Sequence, residues 1–139
     1  MGIRRKGREL ALQALYQMEM SGDRSPRGLE LFLRNFMGNP KAKDFARRLV
    51  LGVIAHREEI DRLIEQSAEH WKLSRMAKVD LTILRMAAYE MLFCPDIPIS
   101  VSMDEAIEIG KRYGSEDSST FINGVLDQIA QLSGVKEFR

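Results

Sequence analysis

From Leu10 the apolar residues Leu10, Ala11, Ala14, Leu15 and Met18 recur at helical spacing, while Glu9, Gln13 and Gln17 fall on other faces. The pattern predicts a first helix from about Ile3 to Met20, closed by Ser21-Gly22-Asp23. Ser25-Pro26 opens a second, with serine as N-cap, proline in the first turn, and Leu29, Phe32, Leu33 and Phe36 on one stripe. Gly38-Asn39-Pro40 repeats that punctuation before Phe45, Leu49, Gly52 and Val53. Ile60, Leu63 and Ile64 continue the pattern, so two helices are expected to meet near His56. After a mixed segment from Leu73 to Val79, the residues Leu81, Leu84, Ala88 and Met91 stack until Pro95 stops the run. Pro95-Asp96-Ile97-Pro98 reads as a rigid connection. Ser102-Met103-Asp104-Glu105 has the form of a capping box for a helix through Ala106, Ile109 and Tyr113 to Gly114. Asp117-Ser118-Ser119 offers capping oxygens to a last helix whose buried side is Phe121, Val125, Leu126 and Ile129, ending at Ser133-Gly134. No stretch alternates long enough to compete as a strand, so the expectation is an all-α chain of about seven helices with no internal repeat.

Composition narrows the function classes. A chain of 139 residues predicts one domain over residues 1–139, and 45% hydrophobic with 29% charged residues predicts that it folds. Lys+Arg 21 against Asp+Glu 20 leaves +1, so any electrostatic function must come from local clustering. The lone cysteine, Cys94, forms no intramolecular disulfide, and with only the histidines His56 and His70 no Cys/His metal set is expected; no cofactor is implied either. The longest apolar run, Leu49 to Ala55, is far short of the ~18 residues of a membrane span, and no apolar region follows the basic N-terminus. A cytoplasmic protein is expected.

Clustering appears at the start of the chain, where Arg4, Arg5, Lys6 and Arg8 open the first helix. Cations there oppose the positive end of the helix dipole by roughly 0.3–1 kcal/mol each, so stability alone does not select them. A polyanion would relieve the repulsion and meet the free N–H groups of the first turn. The alternative is a solvated, frayed tail, which Gly2 and Gly7 permit. Unpaired bases need aromatic faces beside such charges. Tyr16, a little over two turns beyond Arg8, and Phe121, after the polar loop Gly114 to Ser119, are candidates, although from the residues alone each reads first as a core ring. Asp117 reads as an N-cap, or as an acceptor for a base edge. His56 beside Glu58 and Glu59, and His70 beside Trp71, are weak acid/base pairs, and no catalytic residues are assigned. Asn123-Gly124 inside a helix suggests close packing or close approach by a ligand. Asp80, Arg85 and Glu90 are polar positions on an apolar helix: surface charges, an ion pair, or a partner-binding edge.

Residues Arg8 to Tyr16, Val79 to Leu92, Asp96-Ile97-Pro98, Glu105-Ala106 with Lys111, and Phe121-Ile122-Asn123-Gly124-Val125-Leu126-Asp127, in this order and spacing, closely resemble the NusB family of bacterial transcription antitermination factors. The stretch from Ser21 to His70 resembles it only in helical pattern. The resemblance implies two small helical bundles forming one compact domain, no catalytic activity, and binding of the boxA element of ribosomal RNA leader transcripts. It implies a heterodimer with NusE, a small-subunit ribosomal protein, and assembly with other Nus factors on RNA polymerase. By the same resemblance Arg4, Arg5, Lys6, Arg8, Tyr16, Asp117 and Phe121 contact RNA, and Asp80 contacts NusE. The chain departs from the family at Met103-Asp104-Glu105, where Ile-Asn-Glu is usual and a side-chain amide becomes a carboxylate. It departs again at Lys6, where arginine is common; lysine keeps the charge and loses the planar fork.

The first and last helices are expected to bring their starts together as a cradle for unpaired ribonucleotides. Two other functions stay open: a protein-only helical adaptor, and a stand-alone relative of the RNA-binding domain of ribosomal RNA cytosine methyltransferases. No Gly-rich nucleotide-binding unit follows within these residues to support the second. A homodimer covering the basic segment is also open.

Overall fold

The computed structural model describes residues 2–135, which form seven α-helices, one 3-10 turn and no strand. They fall into two compact units, Met1–Ala55 and His56–Arg139.

The first unit holds α1 (Ile3–Ser21), α2 (Pro26–Arg34) and α3 (Pro40–Ala55). Local chemistry sets each boundary. Gly22 ends α1 in the left-handed region at φ 80°, its N–H donating to the Met18 carbonyl at 2.8 Å. Ser25 Oγ accepts from Gly28 N–H at 3.0 Å with Pro26 at the first helical position, and Asn39 Oδ1 accepts from Lys41 N–H at 2.8 Å before α3. α1 packs along α3, burying Leu10, Ala11, Ala14, Leu15 and Met18 on one helix and Ala42, Phe45, Ala46 and Leu49 on the other. Burying a leucine of this kind is worth about 1.5–3 kcal/mol. The crossing is close at Gly7, where a Cβ would stand 2.9 Å from the Ala42 carbonyl oxygen and 2.9 Å from Phe45 Cδ2. Arg47 ties α3 to α2 with a two-pronged bond to Glu30 at 2.6 and 3.0 Å, while its third nitrogen reaches Asp44 at 2.7 Å.

The second unit holds α4 (Arg57–Ser67), the 3-10 turn Leu73–Arg75, α5 (Lys78–Phe93), α6 (Ile99–Tyr113) and α7 (Ser118–Ser133). Helix α5 is its centre, packed on α4, α6 and α7 and buried from Asp80 to Ala88. Its polar residues are therefore not surface charges. Arg85 makes a two-pronged bond to Asp61 of α4 at 2.8 and 3.0 Å, Glu90 accepts from Ser102 Oγ at 2.8 Å, and Asp80 accepts from Ser118 Oγ at 2.6 Å. Each buried charge is thus met by a donor or acceptor on another helix, as burial demands.

That arrangement corrects the capping box expected at Ser102. Helix α6 starts earlier, at Ile99, with Val101 and Ser102 N–H groups both returning to the Pro98 carbonyl. Ser102 lies inside the helix, and its hydroxyl serves Glu90. His56 stands between α3 and α4 as expected, its ring stacked on Phe93 at 3.9 Å. Gly134 closes α7 in the left-handed region at φ 72°.

Candidate nucleic-acid interface

In the first unit the basic cluster is organised, not frayed. Helix α1 begins at Ile3 with Gly2, which has no side chain to cap it, at the N-cap position, and no acidic residue stands in its first turn. A helix start that carries cations and no acid is the arrangement that favours an anion. Arg4 and Arg8 both place their guanidinium over the Phe45 ring, at 5.2 and 5.3 Å from its centroid. Such contacts are worth about 0.5–1 kcal/mol each and hold the charges at a fixed height above α3. Arg4 and Lys6 are exposed and Arg5 half-buried. Arg8 is 3% exposed, its guanidinium lying over the Phe45 ring. Tyr16, lower on the same helix, is 36% exposed and is not a core ring.

Beside Lys6 lies a groove of about 340 Å³ whose walls include Ile3, Phe36, Met37 and Lys43. Sequence reading passed over Lys43 and Met37, since neither belongs to a motif and only folding brings the α2–α3 connection beside α1.

In the second unit Asp117, Phe121 and Asp80 are brought together at the start of α7. Asp117 occupies the N-cap position with helical backbone, and its carboxylate makes no capping bond, so the expected cap is replaced. Ser118 does the tying instead. Its hydroxyl accepts from Ser115 N–H at 2.9 Å and donates to Asp80 at 2.6 Å, pinning the loop onto α5. Asp117 is left exposed with acceptor oxygens at the surface. Asp80 is 7% exposed, its carboxylate engaged by the Ser118 hydroxyl of α7. Phe121 is half-buried, with its ring edge-on to Trp71 at 6.1 Å and 72°. Trp71, a ring that sequence motifs do not single out, is itself exposed and is followed by Lys72, Arg75 and Lys78, all exposed. Close helix packing does not explain Gly124, since a Cβ there would meet nothing within 4 Å.

An all-helical chain with a cationic, anion-ready helix start in one unit and an exposed carboxylate beside aromatic rings in the other has the features of a nucleic-acid-binding protein. Comparison with known proteins supplies the family. Residues 5–131 match the NusB family model. A transcription antitermination protein NusB from Desulfatibacillum aliphaticivorans is 51% identical over 140 residues, covering 99% of this chain and 96% of the relative. Among solved structures, T. maritima NusB superposes with a TM-score of 0.83 at 43% identity, covering 92% of this chain and 90% of that one. A structure of antitermination factors NusB and NusE in complex with dsRNA gives 0.82 at 26% identity, covering 94% and 97%. The chain belongs to the NusB family. No helix among the described residues is long and apolar enough to cross a membrane.

Proposed function

We propose that this chain is a transcription antitermination factor of the cytoplasm, binding boxA-type RNA together with NusE and joining other Nus factors on RNA polymerase as a non-catalytic adaptor. The observation that carries this reading is the start of α1: a glycine at the N-cap, no acid in the first turn, and cations mounted over Phe45. Arg4, Arg5 and Lys6 hold phosphates there, and Arg8 adds its charge from beneath. Tyr16 and Phe121 offer faces to unpaired bases, and Asp117 accepts from a base edge. Asp80 acts on the NusE contact through the loop that Ser118 anchors. The solved complex of a relative with NusE and RNA supports the partner pair.

Filter binding of boxA RNA by the full chain with NusE, at a series of salt concentrations, tests the division of labour. Arg5→Ala and Lys6→Ala are each expected to weaken binding and to lower the salt slope by about 0.7, the value for one phosphate contact on a single strand. Phe121→Ala is expected to weaken binding with the slope retained. Equal slopes for all variants would refute the assignment. Retention of NusE without any retention of RNA would leave a protein-only adaptor.

A further inference from the structure

We infer that Trp71 is a second base-stacking ring, forming with Phe121 a two-ring platform for successive unpaired nucleotides whose phosphates lie over Lys72 and Arg75. The inference rests on the RNA-binding reading and adds a contact segment to it.

Trp71 is 50% exposed although it is the largest apolar side chain, and it stands edge-on to Phe121 at 6.1 Å. An isolated half-exposed tryptophan is ordinary, but this one is mounted on a braced connection. Trp71 N–H donates to the Ala68 carbonyl at 2.9 Å, Arg75 N–H to Lys72 at 2.9 Å, and Met76 N–H to Leu73 at 3.1 Å. Met76, at 5% exposure, anchors the end of the turn in the core. The ring is therefore presented on a segment that loses little freedom on binding, which is where a stacking contact gains most.

The angle between the rings selects the ligand. Bases in a regular duplex lie parallel, so they cannot satisfy two faces inclined at 72°. A single strand that turns between one nucleotide and the next can, because its bases are unstacked and rotate independently. Lys72 and Arg75 are exposed on the same short segment, and Lys78 follows at the head of α5. Exposed cations close in sequence to an exposed aromatic supply the two elements, charge for the backbone and a face for a base, that single-strand binding uses.

The chain contains one tryptophan, so its own emission reports this residue alone. The experiment titrates the full chain, first with NusE and then with a labelled single-stranded boxA oligonucleotide, following Trp71 emission after subtraction of the NusE signal and the anisotropy of the RNA. Expected results are quenching that saturates in step with anisotropy and an affinity loss of ~5- to 150-fold for Trp71→Ala, with the salt slope retained and Trp71→Phe recovering most of the loss. Lys72→Ala is expected to lower the slope. RNA binding by the wild type with unchanged emission, and equal affinity for Trp71→Ala, would overturn the inference while leaving the RNA-binding reading intact. Emission that moves on addition of NusE and no further with RNA would overturn it in favour of a protein contact. Absence of RNA binding by the wild type with NusE would overturn both. Because quenching is read on the unaltered protein, a folding defect in Trp71→Ala does not blur the result.

Discussion

Replacing Gly7 with alanine sets two helix-scale effects against each other, and the structure says which wins. Glycine inside a helix costs roughly 0.5–1 kcal/mol relative to alanine, so the exchange would stabilise an unobstructed α1. At Gly7 the new methyl would lie 2.9 Å from the Ala42 carbonyl oxygen, 2.9 Å from Phe45 Cδ2 and 3.1 Å from Phe45 Cβ. The carbonyl is held in α3 and cannot withdraw. Phe45 is only 7% exposed and carries two guanidinium groups on its face, so it has no empty space to enter. Helix α1 must lift from α3, and overpacking of this kind costs about 1–3 kcal/mol. Gly124→Ala is the control, because nothing lies within 4 Å of a Cβ there. It is expected to stabilise by the propensity alone. The two variants should therefore differ by about 1–3 kcal/mol, with Gly7→Ala the less stable, in urea denaturation followed by far-UV circular dichroism. Hydrogen exchange should place the loosening of Gly7→Ala within residues 1–55. Equal free energies for the two variants would refute the close crossing, and with it the account of how Arg4 and Arg8 are mounted.

Ser118→Ala removes the hydroxyl that links Asp80 to the loop before α7, leaving a buried carboxylate short of a donor. A loss of about 1–3 kcal/mol is expected by denaturation, together with weaker NusE association in a pull-down. Glu30 is held below the ordinary glutamate range chiefly by its hydrogen bond to Arg47, against the opposing effect of burial and with the charges of Arg47 and Arg34 adding to the lowering. Since its folded value is depressed, the pair's contribution is present above the unfolded glutamate value and fades as pH falls through the folded one. Both partners are partly exposed, so about 0.2–1 kcal/mol is at stake. Glu30→Gln should match the wild type in acid and fall below it near neutrality in paired denaturation curves.

Helix boundaries were legible in the chain wherever the stop or start is made by neighbours in sequence. Gly22, Ser25-Pro26, Asn39-Pro40, Pro95 and Gly134 act within a turn of themselves, so their effect does not wait for folding. The basic opening and the ordered blocks from Arg8 to Asp127 were equally readable, and they led to the family that comparison then established. Where a side chain's partner is distant in the chain, only the tertiary structure decided. Ser102 had the form of a cap, yet Glu90 claimed its hydroxyl; Asp117 stood at the cap position, yet Ser118 tied the loop to Asp80. Gly7 permits fraying in the sequence and is a crossing point in the fold, while Gly124, where close packing is one of two readings, faces open space. Trp71 acquires its meaning only when α7 sets Phe121 against it. A local pattern determines what each peptide can form by itself, whereas burial, charge pairing and ring contact depend on which surfaces meet, and that is settled by the whole core at once.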